Sequence, residues 1–241
     1  MQFGYVGTKV HYNFKKNEEK EVLVLLHGWG GTSKLFKGLS MLKKNFSVLE
    51  IDFPPFGKSE EPKNWNVFSY ANMVISLCEH LGIEKAYFLG HSFGGRIAIL
   101  VSVIKRTLVQ KLVLVDSAGM KPKRKMSYFF KVSKIRFMKL MGLEVSHLGS
   151  EDYKRLSLNM KKTFNSIVTT HLEEYASLIE SPTLIVFGSD DKETPIYMAQ
   201  RLNKLIKGSE LVIMKDCGHF CFLDKPYKFC KLTSSFLKGE K

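Results

Sequence analysis

Short runs of aliphatic and aromatic residues recur along the chain with little alternation between apolar and polar positions. Such runs are typical of strands whose two faces are both covered by helices. The strands predicted in this way cover residues 21–26, 46–51, 85–89, 111–116, 183–187 and 210–214. Residues 3–14 instead alternate weakly around Gly7 and Thr8, which predicts an opening antiparallel hairpin.

Between most of these runs, apolar residues recur at spacings of three and four, as on the buried face of an amphipathic helix. The helices predicted from this spacing cover residues 32–44, 66–81, 93–104, 195–206 and 224–237. Strands and helices that alternate through short connections form a parallel sheet with helices on both faces. We therefore predict an α/β fold with a mostly parallel central sheet.

The alternation stops over residues 119–181, which contain helical patterns but no convincing strand. We predict a core formed by residues 1–119 and 182–241, with residues 120–181 inserted as a helical lid, or cap. Within the insertion, residues 128–141 mix bulky apolar side chains with lysines at helical spacing. This mixture favours an amphipathic lid helix over the core, and a surface that meets lipid is the less favoured alternative.

The composition is that of an ordinary globular protein, because 44% of the 241 residues are hydrophobic and 25% are charged. The first residues lack the apolar segment of a signal peptide, and the longest aliphatic runs are only as long as a strand. We therefore expect a soluble, cytoplasmic protein. The four cysteines form neither a C-x-x-C pair nor a small disulfide framework, so reduced thiols are expected.

The net charge of +14 raises the question of an anionic partner, and its distribution matters more than its size. Residues 120–162 contain twelve Lys and Arg against three acidic residues. No helix-turn-helix, RNA-binding or zinc-finger pattern accompanies them, so a nucleic acid is an unlikely partner. A solvated basic face is the favoured interpretation, and a membrane surface is possible but not favoured.

The stretch G-H-S-F-G-G at residues 90–95 follows a predicted buried strand and opens a predicted apolar helix. The pattern G-x-S-x-G in this setting is that of a nucleophile elbow, a tight strand-to-helix turn that holds the serine in a strained conformation. Gly90 and Gly94 are the neighbours without side chains that such a turn requires. The turn would expose the hydroxyl of Ser92 above the sheet.

Further polar groups follow two later strands. Residues 188–195 (G-S-D-D-K-E-T-P) follow the penultimate predicted strand, and residues 215–219 (K-D-C-G-H) follow the last one. In a parallel sheet the loops at the carboxyl ends of the strands meet at one edge, where ligands bind. The resulting order Ser, Asp, His is that of a hydrolase triad on an α/β sheet.

With these motifs the chain resembles the α/β-hydrolase superfamily over nearly its whole length. The matching segments are residues 27–30 (H-G-W-G), 90–95, 188–195 and 217–220 (C-G-H-F). Within the superfamily the chain is most similar to small bacterial serine esterase-like hydrolases with a helical lid. The resemblance implies an α/β-hydrolase fold and nucleophilic catalysis by a serine.

Both chemistry and the resemblance suggest roles for the triad. A serine hydroxyl is a weak nucleophile at neutral pH, so His219 would remove the proton of Ser92. The family pattern places the acid that orients the histidine three residues after the glycine, which selects Asp191. Asp190 is its main rival, and Asp116 and Glu193 are further alternatives.

The tetrahedral intermediate of acyl transfer needs two N–H donors for its oxyanion. Phe93 follows the nucleophile at the start of a helix, and its backbone amide is the first candidate. Trp29 lies in the early glycine-rich loop, and its backbone amide is the second.

Several other residues receive no catalytic role. We interpret His27 and His91 as bracing or packing histidines, Asp52 as a turn residue and Cys217 as a packing thiol. The seven histidines show no metal-binding spacing such as H-E-x-x-H. We therefore predict neither a metal nor another cofactor.

The expected reaction is hydrolysis of a carboxylic ester through an acyl-enzyme intermediate, with a small, hydrophobic ester as the substrate. A carbon–carbon bond hydrolase or a thioesterase could use the same triad, so both stay open as alternatives. A non-catalytic protein that binds a small ligand on this fold is an alternative of another class.

Overall fold

The structure is a computed structural model of the chain, and it describes residues 1–17, 19–123, 153–154 and 156–239. The amphipathic lid helix predicted over residues 128–141 lies outside the described residues.

In the described part of the chain, eight strands form one sheet in the order β1-β2-β4-β3-β5-β6-β7-β8. The strands are Gln2–Tyr5 (β1), Thr8–Lys15 (β2), Val22–Leu26 (β3), Ser47–Ile51 (β4), Ala86–His91 (β5), Val109–Val115 (β6), Thr183–Gly188 (β7) and Glu210–Met214 (β8). The hairpin β1–β2 is antiparallel and β2 runs antiparallel to β4, whereas β3 to β8 run parallel to one another. The prediction of a mostly parallel sheet is confirmed.

The absence of polar alternation in the strands follows from burial on both faces of the sheet. In β3, Val24 and Leu26 enter one hydrophobic core, while Leu23 and Leu25 enter the other. The four side chains are fully buried. Burying such an aliphatic side chain contributes about 1.5–3 kcal/mol, and this gain opposes the entropic cost of ordering the strand.

Helices cover both faces of the sheet, as the alternating pattern predicts. Their bounds are Ser40–Asn45 (α1), Val67–His80 (α2), Phe93–Ile104 (α3), Leu158–Thr169 (α4), Glu173–Ala176 (α5), Ile196–Leu205 (α6), Cys221–Asp224 (α7) and Pro226–Lys238 (α8). Buried residues of α2, α3 and α6 belong to the first core, and those of α1, α7 and α8 belong to the second. None of the helices within the described ranges has the length and apolar character needed to cross a membrane.

Two predicted helices are divided in the structure. Residues 32–44 form a 3₁₀ helix, Ser33–Gly38, followed by α1. Phe36 is buried in the 3₁₀ helix, Leu39 at the junction and Leu42 in α1, so both helices face the second core. The last predicted helix begins earlier, as α7, and starts again at Pro226, whose nitrogen has no proton to continue the hydrogen-bond ladder of α7.

The segment between β6 and β7 contains α4 and α5, and the described part of it has no strand. This agrees with the helical character expected for residues 120–181. The division of the chain into a core and a lid stays a prediction.

The turn from β5 into α3 has a strained backbone at Ser92. Ser92 has φ 51° and ψ −111°, a conformation that costs a residue with a side chain roughly 1–3 kcal/mol. Its amide donates to the carbonyl of Val115 (3.0 Å), and its own carbonyl accepts from Ala118 (3.1 Å). A Cβ atom on Gly94 would collide with the carbonyl oxygen of Leu26. The strained turn therefore depends on a glycine that lets α3 approach the end of β3.

We expect Gly94→Ala to lower the free energy of unfolding by more than about 3 kcal/mol, because its Cβ would meet backbone atoms of Leu26 and His27 that cannot move aside. Urea unfolding followed by circular dichroism measures the change. Gly38→Ala is the control, since Gly38 is exposed and a Cβ there meets no described atom within 4 Å. Equal stability of the two variants would contradict the prediction.

Candidate active site

Three side chains predicted as a triad meet at the carboxyl ends of β5, β7 and β8. The Ser92 hydroxyl oxygen lies 3.0 Å from Nε2 of His219, although the two residues are 127 positions apart. Nδ1 of His219 lies 2.8 Å from Oδ2 of Asp191. Both distances are within hydrogen-bond range. Neutral His219 can thus accept the serine proton at Nε2 while it donates from Nδ1 to the carboxylate.

Asp191 is held by a group of donors in its own loop. Its Oδ1 accepts from the amides of Glu193 (2.8 Å) and Thr194 (2.9 Å), and the Thr194 hydroxyl lies 2.5 Å from Oδ2. Burial raises the pKa of this carboxyl, but hydrogen bonds from His219 and Thr194 outweigh burial and hold the pKa below its usual value. Asp191 is therefore ionised near neutral pH and fixed in orientation.

None of the three rivals for the acid position is paired with Nδ1 of His219, which faces Asp191. Asp190 is exposed and accepts from the hydroxyl of Ser189 (2.9 Å). Asp116 is buried and accepts from the amides of Gly188 (2.8 Å) and Cys221 (3.3 Å). Burial raises the pKa of Asp116 to about 7.

Glu193, the remaining rival, lies on the other side of the His219 ring from Asp191. Its Oε2 is 3.3 Å from Nε2, the nitrogen that faces Ser92, and its side chain is 70% exposed. It cannot orient the ring in the way that Asp191 does. It can instead accept a hydrogen bond from Nε2 whenever His219 is protonated.

His219 is more basic than an ordinary histidine. Burial lowers its pKa, but the hydrogen bond to Asp191 and the negative charges of Asp191, Glu193 and Asp116 raise it by more. The ring therefore stays protonated to a higher pH than usual. This balance suits a group that must accept a proton during one step and return it in the next.

His91 braces the loop that carries His219. Its Nε2–H donates to the carbonyl oxygen of His219 at 2.8 Å, and since a carbonyl only accepts, this bond fixes the tautomer. Burial lowers the pKa of His91 to about 3, so the ring is neutral. As expected from the sequence, His91 is a bracing residue. It links the end of β5 beside Ser92 to the backbone of His219.

The glycine-rich loop after β3 forms a tight turn. Gly31 donates to the carbonyl of Gly28 (3.0 Å), and Gly30 has φ 77°. Trp29 is the second residue of this turn, so its amide takes no part in the bond that closes it. Phe93 is the first residue of α3, and the amides of the first helical turn have no partner in the helix itself.

His27 holds this loop in place. Phe53 donates its amide to Nε2 (2.8 Å), so the proton is on Nδ1, which donates to the carbonyl of Gly28 (2.7 Å). Burial lowers the pKa of His27 to about 4, so the ring is neutral and serves only as a brace.

Asp52 and Cys217 also have the structural roles expected for them. Asp52 accepts from the amides of Ser33 (2.8 Å) and Lys58 (3.2 Å), which stabilises the loop after β4. Cys217 is buried, and burial raises the pKa of its thiol. All four cysteines are free thiols.

A cavity of about 490 Å³ lies above Ser92. The described residues that line it are Gly28, Trp29, Gly30, Gly31, Leu35, His91, Ser92, Tyr153, Leu156, Phe164, Glu193, His219 and Phe220. Much of this lining is aromatic, and Phe164 of α4 packs against Trp29 with ring centroids 5.2 Å apart. Such a cavity suits a small, largely apolar molecule.

Sequence reasoning missed Thr194 and the lining residues from the insertion. Thr194 follows Asp191 by three residues, and a hydroxyl at that spacing can bond back to a loop carboxylate, so a local signal existed. Tyr153 and Phe164 fall in a helical pattern, but periodicity does not reveal which residues of an insertion face the cavity.

Within residues 1–17, 19–123, 153–154 and 156–239, no group of three or more His, Cys, Asp and Glu side chains is arranged to hold a metal ion. The expectation of a site that works without metal or cofactor stays a prediction.

The acid limb of the pH profile of kcat/KM should report His219, which must be neutral to accept a proton. Because the pKa of His219 is raised above 6.5, activity should fall as the pH drops through a midpoint above 6.5. In Glu193→Gln one of the charges that raise this pKa is absent, so the midpoint should move to lower pH. Asp190→Asn, which alters an exposed side chain of the same loop, should leave it unchanged. Identical midpoints in wild type and Glu193→Gln would contradict this account.

Comparison with known proteins places the chain in a family. The sequence profile described as "alpha/beta hydrolase fold" matches residues 21–150 and 133–226. An uncharacterized hydrolase, YugF, of Bacillus subtilis (strain 168) is 26% identical over 98% of this chain and 97% of its own length. A 2-hydroxy-6-oxononadienedioate/2-hydroxy-6-oxononatrienedioate hydrolase of Klebsiella pneumoniae is 26% identical over 95% of this chain and 91% of its own.

The same fold is found among solved structures. The crystal structure of a membrane phospholipase A matches with a TM-score of 0.82 at 24% sequence identity, and the match covers 100% of this chain and 86% of that one. Together with the profile match over most of the chain, this identifies the protein as a hydrolase of the alpha/beta hydrolase fold family.

Proposed function

We propose that the protein is a serine hydrolase that cleaves carboxylic esters of small, hydrophobic substrates through an acyl-enzyme intermediate. The observation that carries the proposal is the continuous hydrogen-bonded series from Ser92 through His219 to Asp191, which opens into an aromatic cavity. In this proposal Ser92 is the nucleophile, His219 the general base and Asp191 the acid that orients it.

Acylation begins when Ser92 attacks the ester carbonyl. The Ser92 proton moves to Nε2 of His219 as the new C–O bond forms, and Asp191 stabilises the imidazolium through Nδ1. The tetrahedral intermediate then collapses. The bond to the alcohol oxygen breaks, Nε2 returns its proton to that oxygen, and the acyl group remains on Ser92.

The negative charge on the tetrahedral oxygen requires donors that are already in place. We assign this role to the backbone amides of Trp29 and Phe93, which lie at the turn after β3 and at the start of α3. The helix dipole of α3 adds to the field at this point. One such donor contributes about 3 kcal/mol to the lowering of the barrier.

Deacylation repeats these steps with water. His219 removes a proton from a water molecule that attacks the acyl carbonyl, and the proton then returns to the oxygen of Ser92 as the acid departs. The raised pKa of His219 favours its role as a proton donor to the leaving group.

The inserted segment supplies one wall of the site in this proposal. Tyr153, Leu156 and Phe164 line the cavity, and Arg96 of α3 donates to the backbone carbonyl of Thr170, just after α4. We propose that residues 120–181 form a lid over the core formed by residues 1–119 and 182–241. The apolar side chains of its wall favour a hydrophobic substrate.

Carbon–carbon bond hydrolysis is the second candidate, because a relative that is 26% identical over 95% of this chain is named as a hydrolase of 2-hydroxy-6-oxononadienedioate. That substrate is a dicarboxylate. Among the described residues that line the cavity there is no Lys or Arg to pair with a carboxylate, whereas Glu193 adds a negative charge. The lining therefore favours an ester without a carboxylate.

We expect a fluorophosphonate probe to label wild-type protein covalently, and Ser92→Ala to lose the label together with p-nitrophenyl butyrate hydrolysis. The rate should fall by about 10⁴-fold or more, because the nucleophile is removed from a cooperating triad. Circular dichroism verifies that the variant is folded. A folded wild type without label would favour a non-catalytic binding protein. Turnover of a thioester in place of the ester would favour a thioesterase. Turnover of a vinylogous diketone in place of the ester would favour a carbon–carbon bond hydrolase.

Asp191→Asn should lower kcat by about 10⁴-fold, since an amide in place of the carboxylate favours the wrong tautomer of His219. Asp190→Asn is the matched control, because it changes the same charge one residue away on an exposed side chain. It should leave kcat within about twofold of wild type. The opposite ranking of the two variants would overturn the assignment of the acid.

A further inference from the structure

The side of the cavity next to Nε2 of His219 carries a carboxylate. In the proposed reaction Nε2 donates its proton to the alcohol oxygen that leaves, so groups around Nε2 lie beside the leaving alcohol. Oε2 of Glu193 is 3.3 Å from this nitrogen. A carboxylate is therefore placed where the alcohol part of an ester would bind.

Aromatic rings line the same cavity. Trp29 and Phe164 pack together with centroids 5.2 Å apart, and Phe220 lies against the His219 ring at 5.4 Å. Tyr153 is also in the lining, but Lys161 is already 5.7 Å from its ring. Aromatic faces attract a cation through their quadrupole, most strongly in tryptophan.

The charges around this position are negative. When His219 is neutral, Asp191 and Glu193 flank its ring on opposite sides. The described residues of the cavity lining include no lysine or arginine that would neutralise Glu193. A cation on the substrate would supply that missing partner.

We propose that the cavity contains a subsite for an ammonium group on the leaving alcohol, with Glu193 as the ion-pair partner and the rings of Trp29, Phe164 and Phe220 as aromatic walls of the same cavity. The placement on the alcohol side rests on the proposed ester hydrolysis.

The expected preference for a cationic over a neutral ester is small, because the carboxylate of Glu193 is exposed. The Glu193 side chain is 70% exposed, so water and salt screen its attraction for a cation. An exposed ion pair and an exposed cation–π contact together favour a cationic ester over its neutral isostere by about fivefold.

The test compares butyrylcholine with 3,3-dimethylbutyl butyrate, which have the same shape and differ only in a quaternary nitrogen in place of a carbon. Wild type should show about a fivefold higher kcat/KM for the choline ester. Glu193→Gln should reduce the ratio of the two kcat/KM values towards one, and Asp190→Asn should keep it at the wild-type value. Raising the ionic strength should lower the wild-type ratio.

A binding measurement separates this subsite from the proposed reaction. Choline should bind wild type more tightly than 3,3-dimethylbutanol does in calorimetric titrations, and Glu193→Gln should lose the difference. Equal binding of the two alcohols, or a ratio of kcat/KM that Glu193→Gln does not change, would overturn the subsite. Absence of fluorophosphonate labelling with a preserved choline preference would instead overturn the proposed hydrolysis and leave the cation subsite standing.

Discussion

The close approach of α3 to the end of β3 is the contact on which the rest of the site depends. Gly94 allows it, because any side chain there would collide with the carbonyl of Leu26. The approach holds Ser92 in its strained conformation and brings the glycine-rich loop beside it. Ser92 and the glycine-rich loop can lie this close together only because Gly94 has no side chain to separate the two elements.

A second layer of bonds joins the three loops that carry the side chains of the triad. Asp116, just after β6, accepts from the amides of Gly188 at the end of β7 and Cys221 at the start of α7, and His91 donates to the carbonyl of His219. Thr194 fixes the carboxylate of Asp191 within its own loop. In the proposed reaction these bonds would hold the reacting atoms in position before a substrate binds.

The sequence predicted most of the fold because burial leaves a direct trace in the order of residues. β3 and β8 lie within one residue of their predicted bounds, and α3 coincides with residues 93–104. The order of the loops that carry Ser92, Asp191 and His219 was also predictable, because parallel strands end at one edge. These three side chains lie together in the structure, and their catalytic roles remain a proposal.

Features set by distances between loops were not predictable. The position of Glu193 against Nε2 depends on the rotamer of an exposed side chain and on the shape of the loop between β7 and α6, neither of which has a periodic signal. The division of residues 32–44 into a 3₁₀ helix and α1 depends on how Phe36 and Leu39 fit the second core. Such outcomes are decided by packing, which overrides local propensity.

The two walls of the cavity come from different parts of the chain, and this separation affects how the protein can evolve. The bonds that align Ser92 with His219 come from strand ends and their loops, while the facing wall is contributed by Tyr153, Leu156 and Phe164. Substitutions in that wall can change which molecules fit without disturbing the alignment. Evolution can therefore change the substrate specificity through residues between β6 and β7 without changing the proposed reaction.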